Sequence, residues 1–206
     1  GSNDSKCVKR NLMGIISRAA DTYYTYRFLK TLVTPWNKMK AFELGLVDEN
    51  GKRLRSPETP EEKSEYTLYH RLVFNLKRIL NKLPFGKSRL ASYAAALFLL
   101  KENTGMSDEQ IKRALDEAGY DFDTFLPEEN KSWYQTDEGN PFPGEYTLTQ
   151  DIMSPLTGDA IAMENTKVLV HEGTTPSGYV LGEPVFQVDH KLTKQKIYVS
   201  ISDIKR

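Results

Sequence analysis

One stretch of this sequence, residues 90–100, is apolar at every position except Ser92. A helix that is apolar on all sides has to be enclosed by other parts of the fold, and the alanines within it allow close approach of its neighbours. We therefore predict a central buried helix over residues 87–101. The alternative is a membrane span, but a span needs about 20 apolar residues, and this shorter run has basic residues at both ends.

Other helices are predicted on both sides of this segment. Apolar residues at three- and four-residue steps predict a helix over residues 5–33, which must end before Pro35. Thr59 as N-cap and Pro60 at the first helical position predict a helix that runs to about Lys82. Ser107 caps a further helix that ends at Gly119. Together these segments predict a helical domain over residues 3–120.

A short flap interrupts the helical half. Asp48 to Gly51 form a turn signal between two brief extended pieces, residues 46–47 and 53–54. We call residues 46–55 the flap and predict that they form a small hairpin.

The second half of the chain has a different character. Residues 121–144 are acidic and contain few apolar residues besides aromatics, which predicts a connector. Residues 145–206 contain short segments rich in β-branched residues, which predict a small β-barrel of the Src-homology or KOW type. The expected strands are residues 166–170, 178–181, 184–190 and 196–201, followed by one helical turn at 202–204. The predicted fold class is therefore α+β.

The formal net charge of zero conceals a division along the chain. Residues 1–101 contain 19 Lys and Arg against 9 Asp and Glu, and residues 102–206 contain 9 against 19. The two halves thus carry +10 and −10. Such asymmetry indicates a basic surface for an anionic partner such as nucleic acid, or two halves that neutralise each other across an interface. Both interpretations remain open from the sequence.

No catalytic motif stands out. Gly86-Lys87-Ser88 resembles the end of a phosphate-binding loop, but Asn81 occupies the position of the required earlier glycine. The three histidines share no metal-ligand spacing with one another or with Cys7. We therefore expect no enzymatic activity, no metal and no cofactor, and an unrecognised enzyme is the weakest of the functional hypotheses.

The candidate functional residues are cations of the basic half. Lysine and arginine neutralise phosphates and release counterions, and exposed aromatic rings stack on unpaired bases. Some of these cations lie beside aromatics or on the flap, some form a stripe on the helix that ends near residue 82, and two precede the central helix. We predict that they bind nucleic acid: Lys38, Lys40, Lys52, Arg53, Arg55, Arg71, Arg78, Lys82, Lys87 and Arg89.

Two ordinary explanations compete with that hypothesis. The stripe of Arg71, Asn75, Arg78 and Lys82 has the spacing of the solvent-exposed back of an amphipathic helix. Lys87 and Arg89 oppose the dipole at a helix N-terminus, so an anion is expected near them. That anion is either a phosphate or the acidic connector.

Several blocks of the sequence resemble a family of proteins from large tailed phages, in particular the contractile-tailed myoviruses. The blocks are LVTPW, AFELGLVDENGKRLRSPET, YHRLVFNLKRI and PFGKSRLASYAAALFLLKE, within residues 22–104, and GEPVFQVDHKLTKQKIYVSISDI near the end is similar to the tails of such proteins. The resemblance implies a phage origin and an accessory role, in the cytoplasm of the infected host or packaged in the virion. It assigns no functional residue.

Two functions follow as expectations. The first is a non-catalytic accessory protein that binds nucleic acid through the basic helical half. The second is a virion or assembly component that contacts other phage proteins through the barrel and the flap. Neither requires a membrane partner, and both leave the oligomeric state open.

The prediction of a central buried helix can be tested by substitution. Leu97→Ala or Phe98→Ala should lower the free energy of unfolding by roughly 2–5 kcal/mol, because each opens a cavity in the core. Arg78→Ala, on the predicted polar face, should cost little. Chemical denaturation measures all three, and equal losses would show that the core is misplaced.

Overall fold

The computed structural model describes residues 23–82, 90–120 and 135–206. The fold class is α+β, as predicted: helices occupy the N-terminal part and an antiparallel sheet occupies the C-terminal part. The helices are α1 (residues 23–33), α2 (Lys40–Glu43), α3 (Pro60–Glu65), α4 (Leu68–Lys82), α5 (Ala94–Thr104) and α6 (Asp108–Glu117). Single 3-10 turns lie at Trp36–Lys38 and Leu90–Ser92.

The helix starts predicted at Thr59 and Ser107 are confirmed, whereas the start predicted near residue 5 lies outside the described residues. Thr59 and Glu62 form a reciprocal capping box at α3, and Ser107 and Gln110 form another at α6, so each pair satisfies two backbone N–H groups. The helix predicted from Pro60 to Lys82 is wrong as a single element. It is divided into α3 and α4 at Tyr66, whose φ of −140° and ψ of 53° are not helical.

The predicted central helix is also shorter than expected. Residues 90–92 form a 3-10 turn and α5 begins at Ala94, while residues 87–89 lie outside the described part of the chain. Gly105, at φ 70°, ends α5 in the left-handed conformation that favours glycine. None of the helices in the described ranges has both the length and the apolar character of a membrane-spanning segment.

The flap forms as predicted. Val47 and Arg53 pair in an antiparallel bridge, and the backbone N–H of Leu54 donates to Leu46 O at 2.8 Å. Gly51 adopts a φ of 79° at the turn, where a Cβ would lie 2.4 Å from the Trp36 ring. Glycine is therefore required by the backbone conformation and by the close approach of the indole.

Four of the strands correspond to the predicted segments: β4 (Lys167–Val170), β5 (Gly178–Val180), β6 (Glu183–His190) and β7 (Lys196–Val199). The expected helical turn is present as the 3-10 turn Ile201–Asp203. Four further strands were not predicted, and they are β1 (Gly144–Leu148), β2 (Ile152–Met153), β3 (Ala160–Ala162) and β8 (Ile204–Lys205).

The main sheet is antiparallel throughout. Its strands follow the order β8-β1-β4-β6-β7, and β5 pairs with the beginning of β6. Representative pairs are Leu148 opposite Ile204, Tyr146 opposite Val168, and Val188 opposite Ile197. Strands β2 and β3 form a separate hairpin, here called the β2–β3 hairpin. No pairing joins β7 to β8 in the described part of the chain, so barrel closure remains a prediction.

Helix α5 packs between α4 and the outer face of the sheet. Strand β6 is buried on both faces only around Val185, which packs in the helical core, while Phe186 and Val188 point into the core of the sheet and Gln187 is exposed. The Phe98 and Tyr198 rings lie 5.1 Å apart across this contact. Helices and strands thus contribute to one hydrophobic core, whereas the division into a helical domain, a connector and a barrel domain is untested.

Polar groups also join the sheet to the turn that precedes α5. The buried Asp203 carboxylate accepts hydrogen bonds from the Ser200 N–H at 2.7 Å and from the Gln150 side-chain amide. That amide also donates to Ser92 O at 2.6 Å. Burial raises the pKa of Asp203 to about 6.

The β2–β3 hairpin approaches α4 most closely at Gly158. A Cβ at this residue would lie 2.9 Å from Arg71 Cβ and 3.0 Å from Leu68 Cδ1. The Asn75 side-chain amide also donates a hydrogen bond to Gly158 O.

This close approach predicts different effects for two glycines of nearly identical backbone conformation. Gly158 has φ 73° and Gly173 has φ 74°, but a Cβ at Gly173 meets nothing within 4 Å. Gly173→Ala should cost about 1–2 kcal/mol for the left-handed backbone alone. Gly158→Ala should cost roughly 1–3 kcal/mol more, because the methyl group pushes the hairpin away from α4. Urea denaturation of both variants checks this, and equal losses would mean that the hairpin is not held against α4.

Candidate nucleic-acid interface

The flap residue Arg55 forms an internal ion pair with Glu62. Its guanidinium donates to both carboxylate oxygens of Glu62, at 2.6 and 3.0 Å, and also to Leu44 O at 2.8 Å. The hydrogen bonds from Arg55 lower the pKa of Glu62 to about 2. The contacts with Glu62 join the flap to α3, and the contact with Leu44 O joins it to the end of α2. Arg55 therefore stabilises the flap in this arrangement.

Arg53 and Arg71 converge on one carboxylate of the β2–β3 hairpin. Their Nη1 atoms lie 3.1 and 3.5 Å from Asp159 Oδ2. Arg71 also donates to Thr157 O at 3.3 Å, and its guanidinium lies 4.8 Å from the Tyr66 ring centroid. These contacts engage two of the predicted phosphate ligands within the chain, and the single carboxylate offsets one of their two positive charges.

The predicted solvent-exposed stripe on α4 is therefore partly wrong. Asn75 is buried, and the side chain of Arg71 is only 20 % exposed, because the β2–β3 hairpin lies across this face of the helix. A helical wheel of α4 identifies the polar positions but not the element that packs on them. Because the β2–β3 hairpin was not predicted, these positions were expected to be exposed. Charge neutralisation between the halves, the alternative interpretation, accounts for these contacts.

Arg78 and Lys82 lie further along α4 and line a cleft of about 260 Å³ between this helix and the residues around the β2–β3 hairpin. Asp151 and Glu164 line the same cleft, which we call the mixed-charge cleft. Within the described residues, neither cation forms an ion pair. Lys87 and Arg89 lie outside the described residues, and Lys52 is exposed on the flap.

The remaining predicted cations, Lys38 and Lys40, lie at a different cleft of about 290 Å³. Lys30 joins them there, and we call these three residues the lysine rim. The cleft is also lined by His70 and Phe74, among other residues. Lys40 Nζ lies 3.6 Å from both Glu43 and Glu61, whereas Lys30 and Lys38 form no ion pair with any residue of the described ranges.

The two clefts open on different faces of α4. At 100° per residue, the mean direction of His70 and Phe74 differs by about 110° from that of the four α4 residues at the mixed-charge cleft, which are Asn75, Arg78, Ile79 and Lys82. The predicted nucleic-acid ligands therefore do not form one continuous basic surface. Two members of that set, Lys38 and Lys40, lie in the lysine rim together with Lys30, and of these three lysines only Lys40 forms ion pairs within the described ranges.

His70 contributes a neutral polar group to the lysine-rim cleft. Its Nδ1 accepts from the Thr67 backbone N–H at 3.3 Å and lies 2.7 Å from Thr67 Oγ1. Burial lowers the pKa of His70 to about 4. The ring is thus neutral at pH 7, with its proton on Nε2, from which it can donate a hydrogen bond.

Lys77, which was not among the predicted functional residues, is buried beside this cleft. Its ammonium donates to Thr31 O at 3.1 Å and to Thr34 O, so it satisfies terminal carbonyl groups of α1. The Trp36 ring lies 4.8 Å away, and burial lowers the pKa of Lys77 to about 8. A helical wheel places Lys77 on the apolar side of α4, one turn from Val73. That position in the sequence already indicated that Lys77 would be buried.

Metal chemistry finds no support in the described ranges. Residues 23–82, 90–120 and 135–206 contain no group of three or more His, Cys, Asp or Glu side chains that could hold a metal ion.

The environment of His70 predicts a pH-dependent stability. Because its folded-state pKa is about 4 and its ordinary value is 6.5, the neutral ring stabilises the fold above pH 6.5, and that contribution is lost as the pH falls toward 4. Between pH 7 and pH 4 the free energy of unfolding of the wild type should therefore fall by about 3 kcal/mol more than that of His70→Gln. Denaturant titrations across this range measure the difference, and parallel curves for the two proteins would contradict it.

Comparison with known proteins adds no assignment: no protein-family model, no curated protein and no solved structure matches this chain.

Proposed function

We propose that this chain is a non-catalytic accessory protein of a tailed phage and that it binds nucleic acid through the lysine rim. The observation that carries the proposal is the convergence of Lys30, Lys38 and Lys40 on one cleft. Lys30 and Lys38 supply most of the positive potential that a phosphate backbone requires, because Lys40 lies near Glu43 and Glu61 and because Glu65 also lines the cleft. The site of action is the cytoplasm of the infected host or the virion.

Other features of the cleft are compatible with a nucleotide strand. The His70 Nε2–H can donate to a phosphate or a base without adding charge, and Phe74 and Met39 contribute apolar surface. The flap arginines have no part in this proposal, because Arg53 and Arg55 are paired with carboxylates. A surface of three lysines implies modest affinity and strong sensitivity to salt.

We propose further that the sheet is a small barrel of the Src-homology type. The strand order β8-β1-β4-β6-β7, with a 3-10 turn between β7 and β8, supports this assignment. The barrel would then be a scaffold on which the β2–β3 hairpin is presented to α4.

A second candidate function is contact with other phage proteins through the barrel and the flap. Leu54 on the flap is 60 % exposed, and Leu156 in the turn of the β2–β3 hairpin is 80 % exposed. The Arg53–Asp159 ion pair joins the two loops that carry them. Large exposed apolar side chains on adjoining loops are typical of protein-binding surfaces.

Nucleic-acid binding through the lysine rim predicts a specific loss on charge removal. Fluorescence anisotropy with labelled single- and double-stranded oligonucleotides should detect binding at about 50 mM salt. The triple variant Lys30→Gln, Lys38→Gln, Lys40→Gln should weaken it at least about 10-fold and reduce the slope of log affinity against log salt by roughly 2–3, because about three phosphate contacts are lost.

The matched control removes the same charge elsewhere. Lys112, Lys194 and Lys205 are exposed outside the cleft, and their triple replacement by Gln should change the affinity less than about threefold. Equal losses in both variants would show that binding follows net charge and not the rim. No binding by the wild type would remove the nucleic-acid proposal and leave contact with phage proteins as the function to test.

A further inference from the structure

The mixed-charge cleft has opposite charges on its two sides. Helix α4 contributes Arg78 and Lys82, whereas Asp151 and Glu164 come from segments that flank the β2–β3 hairpin. No ion pair of 4.0 Å or less connects these four side chains, in contrast to the nearby pairs between Asp159 and the arginines 53 and 71. Both signs of charge are thus presented to the space between α4 and the hairpin.

The acidic side of the cleft is held in place by hydrogen bonds. Asp151 Oδ1 accepts from the Glu164 backbone N–H at 2.8 Å, which joins the two ends of the segment that contains the hairpin. The neighbouring Gln150 side-chain amide donates to Ser92 O and to the Asp203 carboxylate, which holds this residue in place at the lining of the cleft. These polar groups are ordered before any ligand arrives, which lowers the entropic cost of binding.

Apolar side chains complete the lining. Ile79 of α4 and Met153 and Ala160 of the β2–β3 hairpin lie between the charged groups. The volume of about 260 Å³ is slightly below the range of about 300–1,000 Å³ that accommodates drug-sized ligands. The cleft therefore has the size for a small metabolite with some aliphatic surface.

The charge arrangement excludes ligands of a single sign. A phosphate or nucleic-acid strand attracted to Arg78 and Lys82 would be repelled by Asp151 and Glu164. A simple cation would be attracted to the two carboxylates and repelled by Arg78 and Lys82. A molecule with an ammonium group at one end and a carboxylate at the other satisfies both sides. We infer that the mixed-charge cleft binds a small zwitterion, an aliphatic amino acid or a short peptide, with its carboxylate on the Arg78 side and its ammonium group on the Glu164 side.

This inference is independent of the proposed nucleic-acid function, because it uses none of the lysine rim. The test is a ligand-observed NMR screen of the full chain against the twenty common amino acids and a set of simple aliphatic dipeptides, each at about 10 mM. The best ligand is then compared by calorimetry with its N-acetyl form, which lacks the ammonium group, and its C-terminal amide, which lacks the carboxylate. Each blocked form should bind at least about 10-fold more weakly.

Two substitutions assign the binding to this cleft. Glu164→Gln and Arg78→Gln should each weaken the zwitterion at least about 10-fold, whereas the controls Glu172→Gln and Arg113→Gln, at exposed residues outside the cleft, should change it less than about twofold. Oligonucleotide binding by Glu164→Gln should not weaken, so failure of one proposal is distinguishable from failure of the other. The inference is overturned if no compound binds, if a blocked form binds as well as its parent, or if the controls lose as much as the cleft variants.

Discussion

The rest of the structure depends on the enclosure of α5. Its residues from Ala94 to Leu100 are all buried, so the helix requires apolar partners in every direction. Helix α4 supplies one side and the outer face of the sheet supplies another. Around Val185, strand β6 must then be apolar on both faces, and for this reason Val185 and Phe186, adjacent in sequence, are both fully buried. Because α5 is shared, the position of the sheet relative to α4 is set by the same contacts.

Ion pairs form between groups that this apolar packing has already brought together. Once the sheet lies beside α4, the β2–β3 hairpin brings Asp159 to Arg53 and Arg71. Leaving the Arg71 guanidinium, with 20 % of its side chain exposed, without a carboxylate would be costly, whereas pairing it also fixes the turn. The asymmetry between the halves is therefore partly resolved inside the molecule. Lys30 and Lys38 of the lysine rim, which are exposed and form no ion pair within the described ranges, remain available to an external anion.

Helix α4 connects the two proposed binding sites. The residues His70 and Phe74 line the cleft of the lysine rim, and Arg78 and Lys82 line the mixed-charge cleft on another face. Lys77 fixes the helix against the end of α1, and Asn75 fixes it against the hairpin. Different chemistry on separate faces of one helix is compatible with the two proposed ligands, one anionic and one zwitterionic.

The sequence by itself determined the elements whose signals are local. The capping boxes at Thr59 and Ser107, the turn of the flap and the strands β4, β5, β6 and β7 depend on neighbouring residues, and all were predicted, whereas the five-residue strand β1 was not. The short strands β2, β3 and β8 could not, because two or three residues carry no periodicity and pair only where the fold brings a partner. Which of the predicted cations form ion pairs was likewise determined by the tertiary structure. Arg71 and Lys38 look alike in the sequence, but only the docking of the hairpin gives Arg71 a carboxylate and leaves Lys38 exposed at a cleft, because charges distant in sequence pair only after packing has fixed their positions.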